Sequence, residues 1–341
     1  MTPSTQLGRA AVVSRHPATI RRLAQSLGAV GLGVNHSLGT AGLQRYEPGE
    51  LKIAVLDLDV DAHADPAQLV AELAAACPQT PLVAVAGVDA KRRLMAALGS
   101  PSVRHVVPKL GGWIDLPAEK RTFDGPDEQD LAIGLRRHLH PQTSPQGVGP
   151  YLIEGFSAQH ATVGSTSEKD GALGEVMSMA EALELSDEKK RRIEVATEEL
   201  LLNAIYDAPR APDGKPLHAG LDRRTPVTLD ERARVALAYG CDGRNFVIAV
   251  ADGFGSIERD DVVRSLRKLL EPQGPRPQAG TSGAGLGLML TYSQANQLIV
   301  HSVRERFTEV TAVVHVSGSN RTALARGSAL HLYLDGPAEK E

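Results

Sequence analysis

Two cysteines in 341 residues, Cys77 and Cys241, are too few and too far apart for a disulfide framework or a thiolate metal cage. No secretory signal is expected from the sequence, and both thiols are expected to stay reduced. No apolar run approaches the roughly 20 residues needed to cross a bilayer. Neither sign of charge dominates: 37 Lys and Arg against 41 Asp and Glu leave a formal charge of −4. A balance so close to neutral gives no electrostatic footprint for nucleic acid. The basic clusters Arg21-Arg22, Lys91-Arg92-Arg93 and residues 189–192 each sit beside apolar periodic runs, and they read as solvated helix faces. What remains is the expectation of a cytoplasmic, two-domain globular protein that binds neither nucleic acid nor membrane.

In residues 8–140, short apolar strands alternate with helical patterns. Strands are expected at 10–14, 52–56, 82–86 and 103–107. Helices are expected at 17–28, opened by Pro17 and closed by Gly28, and at 67–77, 91–98 and 128–139. Such alternation predicts a doubly wound parallel sheet, with functional groups gathered at the carboxyl ends of its strands. Asp57 and Lys109 fall at two such ends. The pattern resembles the receiver domain of two-component response regulators. Asp57 matches the phosphorylated aspartate there, and Lys109 the lysine that contacts the phosphoryl group. The acidic pair that holds magnesium in receivers is missing, however. Ser14 and Arg15 stand in its place, and Ala86 replaces the usual Ser or Thr. Phosphoryl transfer to a carboxylate leans on that metal. The resemblance therefore implies a degenerate receiver used for docking or homodimerisation, with Asp57 and Lys109 a secondary candidate for phosphate acceptance.

Residues 141–150 are rich in Pro, Gly and Ser, lack periodicity, and read as a linker. Between residues 139 and 173 there is no room for the helical hairpin that carries the phosphoacceptor of a histidine kinase. His138, His140 and His160 read as surface or structural residues.

Residues 151–335 carry three chemical motifs. Helices are expected at 173–185 and 185–206, the second opened by Ser186. Near its end Glu199 and Asn203 are one turn apart on one face, where a carboxylate and a carboxamide can grip a cation and a nucleophile together. A hairpin follows, with strands at 235–239 and 245–250 around the turn signal Asp242-Gly243. Its second strand runs into Asp252-Gly253-Phe254-Gly255. A carboxylate there can accept a hydrogen bond from an exocyclic amine, and the paired glycines let backbone close around a flat ligand. After an expected helix at 258–270 and a Pro/Gly-rich stretch, Gly283-Ala284-Gly285-Leu286-Gly287-Leu288 opens a helix expected at 286–297. Such a loop offers N–H groups to an anion. It is neither a dinucleotide fingerprint nor a P-loop, because no strand leads into it and no Gly-Lys-Ser/Thr follows. Strands are expected at 298–303, 309–316 and 329–334.

The order Glu199-x-x-x-Asn203, Asp252-x-Gly-x-Gly255, Gly283-x-Gly-Leu-Gly-Leu288 resembles the GHKL (Bergerat-type) ATP-binding fold. That fold is shared by gyrase-type topoisomerases, heat-shock chaperones, histidine kinases and MutL-type repair proteins. The likeness spans most of residues 160–316 and leans toward the anti-sigma-factor serine kinases. It implies an α/β protein: a doubly wound parallel sheet first, then an α/β sandwich of the GHKL type. It also implies ATP and Mg²⁺, with Asn203 holding the metal, Asp252 with Gly253 and Gly255 binding adenine, and Gly283, Gly285, Leu286 and Gly287 wrapping the phosphates. Glu199 would be the general base, and residues 256–282 a lid. Asp207 departs from the His or Lys usual near that helix end. The implied function is an ATP-dependent protein serine/threonine kinase acting on a signalling or transcription regulator. Its alternatives are an ATP-gated interaction switch without transfer, or a kinase acting on a histidine of another chain.

Overall fold

Residues 8–43, 45–61, 63–87, 89–109, 131–132, 134–135, 144–218, 220–270, 285–318 and 327–335 are described by the computed structural model of the chain. They fall into two compact units, one drawn from residues 1–141 and 321–331, the other from 142–320 and 332–341. Both units are mixed α/β.

In the first unit, apolar runs rich in β-branched residues become β1 (Gly8–Val13), β3 (Leu51–Asp57), β4 (Leu82–Ala86) and β5 (Val103–Pro108). With β2 (Leu32–Ser37) they form a parallel sheet in the order β2-β1-β3-β4-β5. Helices α1 (Pro17–Ala29), α2 (Pro66–Ala76) and α3 (Ala90–Ala97) connect them. The start of α2 is set by Asp65, whose carboxylate accepts from the Ala67 N–H, and by Pro66 in the first turn. Val12, Leu23, Leu27, Val55, Val83 and Val107 meet in one apolar cluster, which also holds Leu131 and Leu135. β4 is buried along its whole length, as expected for a strand covered on both faces.

Strand β2 was not foreseen. It is an edge strand, mostly half-exposed, and Gly33, Asn35 and His36 dilute its apolar signal. Of the helix expected at 128–139, only residues 131, 132, 134 and 135 are among those described. Strand β11 (Ala329–Asp335) adds to the far edge antiparallel, Leu330 opposite Val106 and His331 opposite His105.

The second unit is built on an antiparallel sheet in the order β9-β10-β8-β7-β6. Its strands are β6 (Gln159–Val163), β7 (Val235–Cys241), β8 (Asn245–Asp252), β9 (Gln297–Val303) and β10 (Phe307–His315). The β7–β8 turn forms where expected: Asp242 Oδ1 accepts from the N–H groups of Arg244 (2.9 Å) and Asn245 (2.7 Å), and Gly243 takes φ +82°. Helices α4 (Thr166–Ala182), α5 (Asp187–Leu202), α6 (Arg259–Arg267) and α7 (Leu286–Gln294) complete the unit. α5 packs on α4, α7, β8 and β10.

Three boundaries differ from expectation for local reasons. The helix expected at 173–185 begins at Thr166, because Ser165 Oγ accepts from the Glu168 N–H at 3.2 Å and Glu168 reaches back to the Gly164 N–H at 2.8 Å. This S-x-x-E signal outweighs the polar, glycine-bearing first turns. The helix expected to reach 297 stops at Gln294, where Asn296 Oδ1 accepts from the His315 N–H and from Arg192 Nη2, both at 2.9 Å, and draws the chain into β9. The helix expected through residue 206 is α-helical only to Leu202. It then widens into a π turn, Asn203–Asp207, in which the Ala208 N–H donates to the Asn203 carbonyl at 3.0 Å.

The basic run 189–192 is also corrected. Lys189 and Arg192 are buried, not solvated. Lys189 donates to the carbonyls of Val316 and Gly318, and Arg192 to that of Gln294. Arg93 of the first unit is likewise buried, with its guanidinium on the Leu58 and Asp61 carbonyls.

Candidate functional site

Strand β8 ends by delivering Asp252 into a closed environment, where the residue is 7 % exposed. Its Oδ1 accepts from the Phe254 N–H at 2.9 Å. Desolvation raises the carboxyl pKa to about 7, with the backbone N–H groups of Phe254 and Gly255 and the charge of Arg210 acting in the opposite direction. The chain then turns tightly. A Cβ on Gly253 would lie 3.0 Å from the Arg232 carbonyl, and Gly255, at φ +61°, lies so near the Val303 carbonyl that any side chain there would collide with it. These glycines hold the turn against its neighbours.

Asp252 forms part of the wall of a cavity of about 210 Å³. Leu200, Ala204, Val250, Ile257 and Leu288 give it apolar walls, while Asn203, Asp207 and the Gly285 backbone contribute polar groups. Arg210, Arg264 and Lys268 bring positive charge to the same space. Arg210 is held there by donating to the Asp207, Ala208 and Pro209 carbonyls at the end of the π turn.

The start of α7 meets the end of α5. Gly285 precedes α7 at φ +94°, with its carbonyl accepting from Ser265 Oγ. Leu286 is half-buried in the first turn. A Cβ on Gly287 would lie 2.6 Å from both Glu199 Oε2 and Asn203 Oδ1. Only a residue without a side chain allows α7 to approach those two groups so closely. Thus Asn203, Asp252 and Gly285 line one cavity, Glu199 and Gly287 adjoin Asn203, Leu286 lies between Gly285 and Gly287, and Gly253 and Gly255 turn against Arg232 and Val303 just after Asp252. Gly283, and residues 271–282 of the expected lid, lie outside the described residues. The described part of that lid holds α6 and the cavity residues Ser256, Ile257, Asp261, Arg264, Ser265 and Lys268.

No protein-family profile and no curated protein matches this chain. Among solved structures, the SiaB-SiaC complex from Pseudomonas aeruginosa superimposes with a TM-score of 0.28 at 13 % identity, over 45 % of this chain and 88 % of that one. A likeness of that size carries no inference. Among the described residues no helix is long and apolar enough to cross a membrane, and no three His, Cys, Asp or Glu side chains are grouped to hold a metal. That donor set does not exclude Mg²⁺ bound chiefly through substrate phosphates, which typically takes only one or two protein oxygens.

One functional group escaped the sequence. Arg223, in the long loop between the π turn and β7, reaches across α5: Nη1 donates to Glu199 Oε2 at 3.1 Å, and Nη2 to Asn203 Oδ1 at 3.0 Å and Asp207 Oδ2 at 2.6 Å. Burial raises the pKa of Glu199 and of Asp207, and the guanidinium lowers both. Asp207, which departs from the basic residue implied at its position, has a basic partner after all, supplied from another part of the chain.

At the carboxyl ends of β1, β3 and β5 in the first unit, Asp57 and Lys109 do meet. Lys109 is fully buried, its ammonium 2.6 Å from Asp57 Oδ1 and 2.8 Å from Asp59 Oδ2. Ser14 Oγ donates to Asp57 Oδ2 at 2.6 Å, the Asp59 N–H donates to Asp57 Oδ1 at 3.0 Å, and the Gly87 N–H donates to Asp59 Oδ2 at 2.8 Å. Both oxygens of Asp57 are engaged and the residue is 0 % exposed. Asp59 is the member of this cluster that sequence reading missed; its spacing of two from Asp57 was the available sign.

Proposed function

We propose that the second unit binds ATP together with Mg²⁺ in the GHKL manner, and that the chain is a signalling regulator of the anti-sigma, partner-switching type that phosphorylates Ser or Thr on a protein partner. One observation carries this reading: the end of α5, the end of β8 and the start of α7 converge on one cavity with a buried carboxylate in its wall. The residues suit the groups they would meet. Asp252 accepts a hydrogen bond from the adenine amine, and apolar Leu200, Val250 and Leu288 take the ring. Gly285 and the first N–H groups of α7 meet the phosphates, helped by the helix dipole and by Lys268. Mg²⁺, held through Asn203 Oδ1, would supply charge neutralisation at the phosphates. Glu199 accepts the proton of the attacking hydroxyl, a role typically contributing about 10²- to 10⁴-fold.

The first unit is read as a receiver-like docking module. Its β2-β1-β3-β4-β5 order supports the likeness, and the engaged Asp57 supports a role in binding a signalling or transcription regulator, or a second copy of this chain, over one in phosphate relay.

The test uses γ-labelled ATP and Mg²⁺ with the purified chain, alone and with cell extract, followed by identification of the labelled residue. Label on Ser or Thr of a partner is expected, and Glu199→Ala should abolish it while ATP binding persists. Transfer surviving in that variant would remove Glu199 from the role, and label on histidine would make the chain a histidine-directed kinase. A second reading, an ATP-gated interaction switch without transfer, is favoured by the hold of Arg223 on Glu199. It predicts tight nucleotide binding with no labelled protein.

A further inference from the structure

The Arg223 guanidinium sits on the same Asn203 oxygen through which the nucleotide's metal would be held. We infer that Arg223 is a tethered counter-cation for this site, and that a divalent cation can use Asn203 Oδ1 only when Arg223 leaves. This deepens the ATP reading and rests on it for its biological use, though not for its test.

The geometry gives the reason. Three oxygens from successive turns of one helix end, on Glu199, Asn203 and Asp207, all lie within 3.1 Å of one guanidinium. Two of them carry negative charge when ionised, so Arg223 supplies the neutralisation that a metal would otherwise supply. Mg²⁺ binds oxygen at about 2.0–2.1 Å and demands near-octahedral room. A cation on the lone pair of Asn203 Oδ1 that Nη2 now uses would overlap the guanidinium, and one on the other lone pair would still lie within a few ångströms of its charge. Like charges so close, in a half-buried setting, exclude one another. The two cations therefore compete for one place.

The connection is also local and reversible. Half-buried Arg223 is flanked by exposed Leu221, Asp222 and Arg224, while neighbouring Thr225 is fixed through its carbonyl to Tyr206 Oη at 2.6 Å. His218 of the same loop meets the Ile205 carbonyl at 3.0 Å. The loop thus clasps the π turn at two further points, and Arg223 can swing away without the clasp being undone. With Arg223 in place, Glu199 Oε2 is engaged and the carboxylate is a weaker base; with it withdrawn, the base and the metal ligand become available together.

The experiment titrates Mn²⁺ into the full chain without nucleotide, reading free metal by electron paramagnetic resonance. Arg223→Gln should bind Mn²⁺ about tenfold or more tightly than wild type, because the competing charge is gone while its shape is partly kept. Arg223→Lys, which keeps a cation, should stay within about threefold of wild type. Arg223→Met, which removes the charge and keeps an apolar stem, should raise Mn²⁺ affinity likewise, which keeps the inference open to refutation if Arg223→Gln does not fold. Adding Asn203→Ala to Arg223→Gln should cancel the gain. Mn²⁺ affinity no higher than wild type in Arg223→Gln, or in Arg223→Met where the first does not fold, overturns the inference, as does a gain that survives Asn203→Ala. A parallel titration with a fluorescent ATP analogue and Mg²⁺ separates the two ideas. Absence of nucleotide binding in wild type and variants alike refutes the ATP reading and leaves the metal result to stand or fall alone.

Discussion

Asp252 carries opposing demands on one carboxyl group. Burial raises its pKa to about 7, against an ordinary value of 3.8. Between those values the folded protein holds a proton that the unfolded chain has released, so this group favours folding at low pH, and its contribution is lost as pH rises through about 7. An amine donor is held more strongly by the opposite state, the ionised carboxylate, than by the neutral acid's carbonyl oxygen. Nucleotide affinity is therefore expected to rise between pH 6 and pH 8 while the stability of the second unit falls. Asp252→Asn should reverse the balance. By urea denaturation at pH 8 it should be more stable than wild type by roughly 2–4 kcal/mol, with a flatter pH profile, and by calorimetry its ATP affinity should drop about tenfold or more. An unchanged pH profile in the variant would show that Asp252 is not the titrating group. Position and type of this residue were legible from its place after a strand. Arg223 was not, because a guanidinium joins residues 16 to 24 positions away only once a loop has folded back.

Two glycines separate the packing of elements from the chemistry of the site. At Gly255 a side chain would strike backbone, the Val303 carbonyl, from a left-handed conformation. Gly255→Ala should cost about 2–4 kcal/mol in thermal or urea unfolding. At Gly287 the obstacle is the flexible ends of Glu199 and Asn203, each 2.6 Å from the added atom. Gly287→Ala should leave melting nearly unchanged yet displace those two groups, weakening Mg²⁺-dependent nucleotide binding about tenfold or more. If both variants lose stability equally, the α5–α7 approach is structural rather than part of the site. Elements with a strong local code were readable. β4 was a pure apolar run between turns, and α2 had Asp65 and Pro66 to start it. Those governed by tertiary contact were not: the π turn at Asn203–Asp207 has no composition of its own, and the end of α7 is decided by Asn296 bonding to β10 and α5.

Each of the two units holds an acidic centre of its own. The one in the second unit opens on a cavity, while Asp57 in the first is enclosed by Ser14, Asp59 and Lys109. Incubation with acetyl phosphate and Mg²⁺ should therefore leave the intact mass of the full chain unchanged, and a gain of one phosphate on Asp57 would restore the relay role. The parallel sheet of the first unit was legible from the apolar runs of β1, β3, β4 and β5 between helical patterns, whereas the half-exposed edge strand β2 was not. The late arrival of β11 was not, since it joins the sheet from the far end of the sequence.

That arrangement has a consequence for synthesis. On the ribosome β1 to β5 emerge early and can pair as they appear, but among the described residues the outer edge of β5 finds its strand partner only when residues 329–331 are made. Through most of translation the nascent chain carries an open strand edge able to capture a neighbouring chain on the same message. A stop placed before residue 329 would make that exposure permanent.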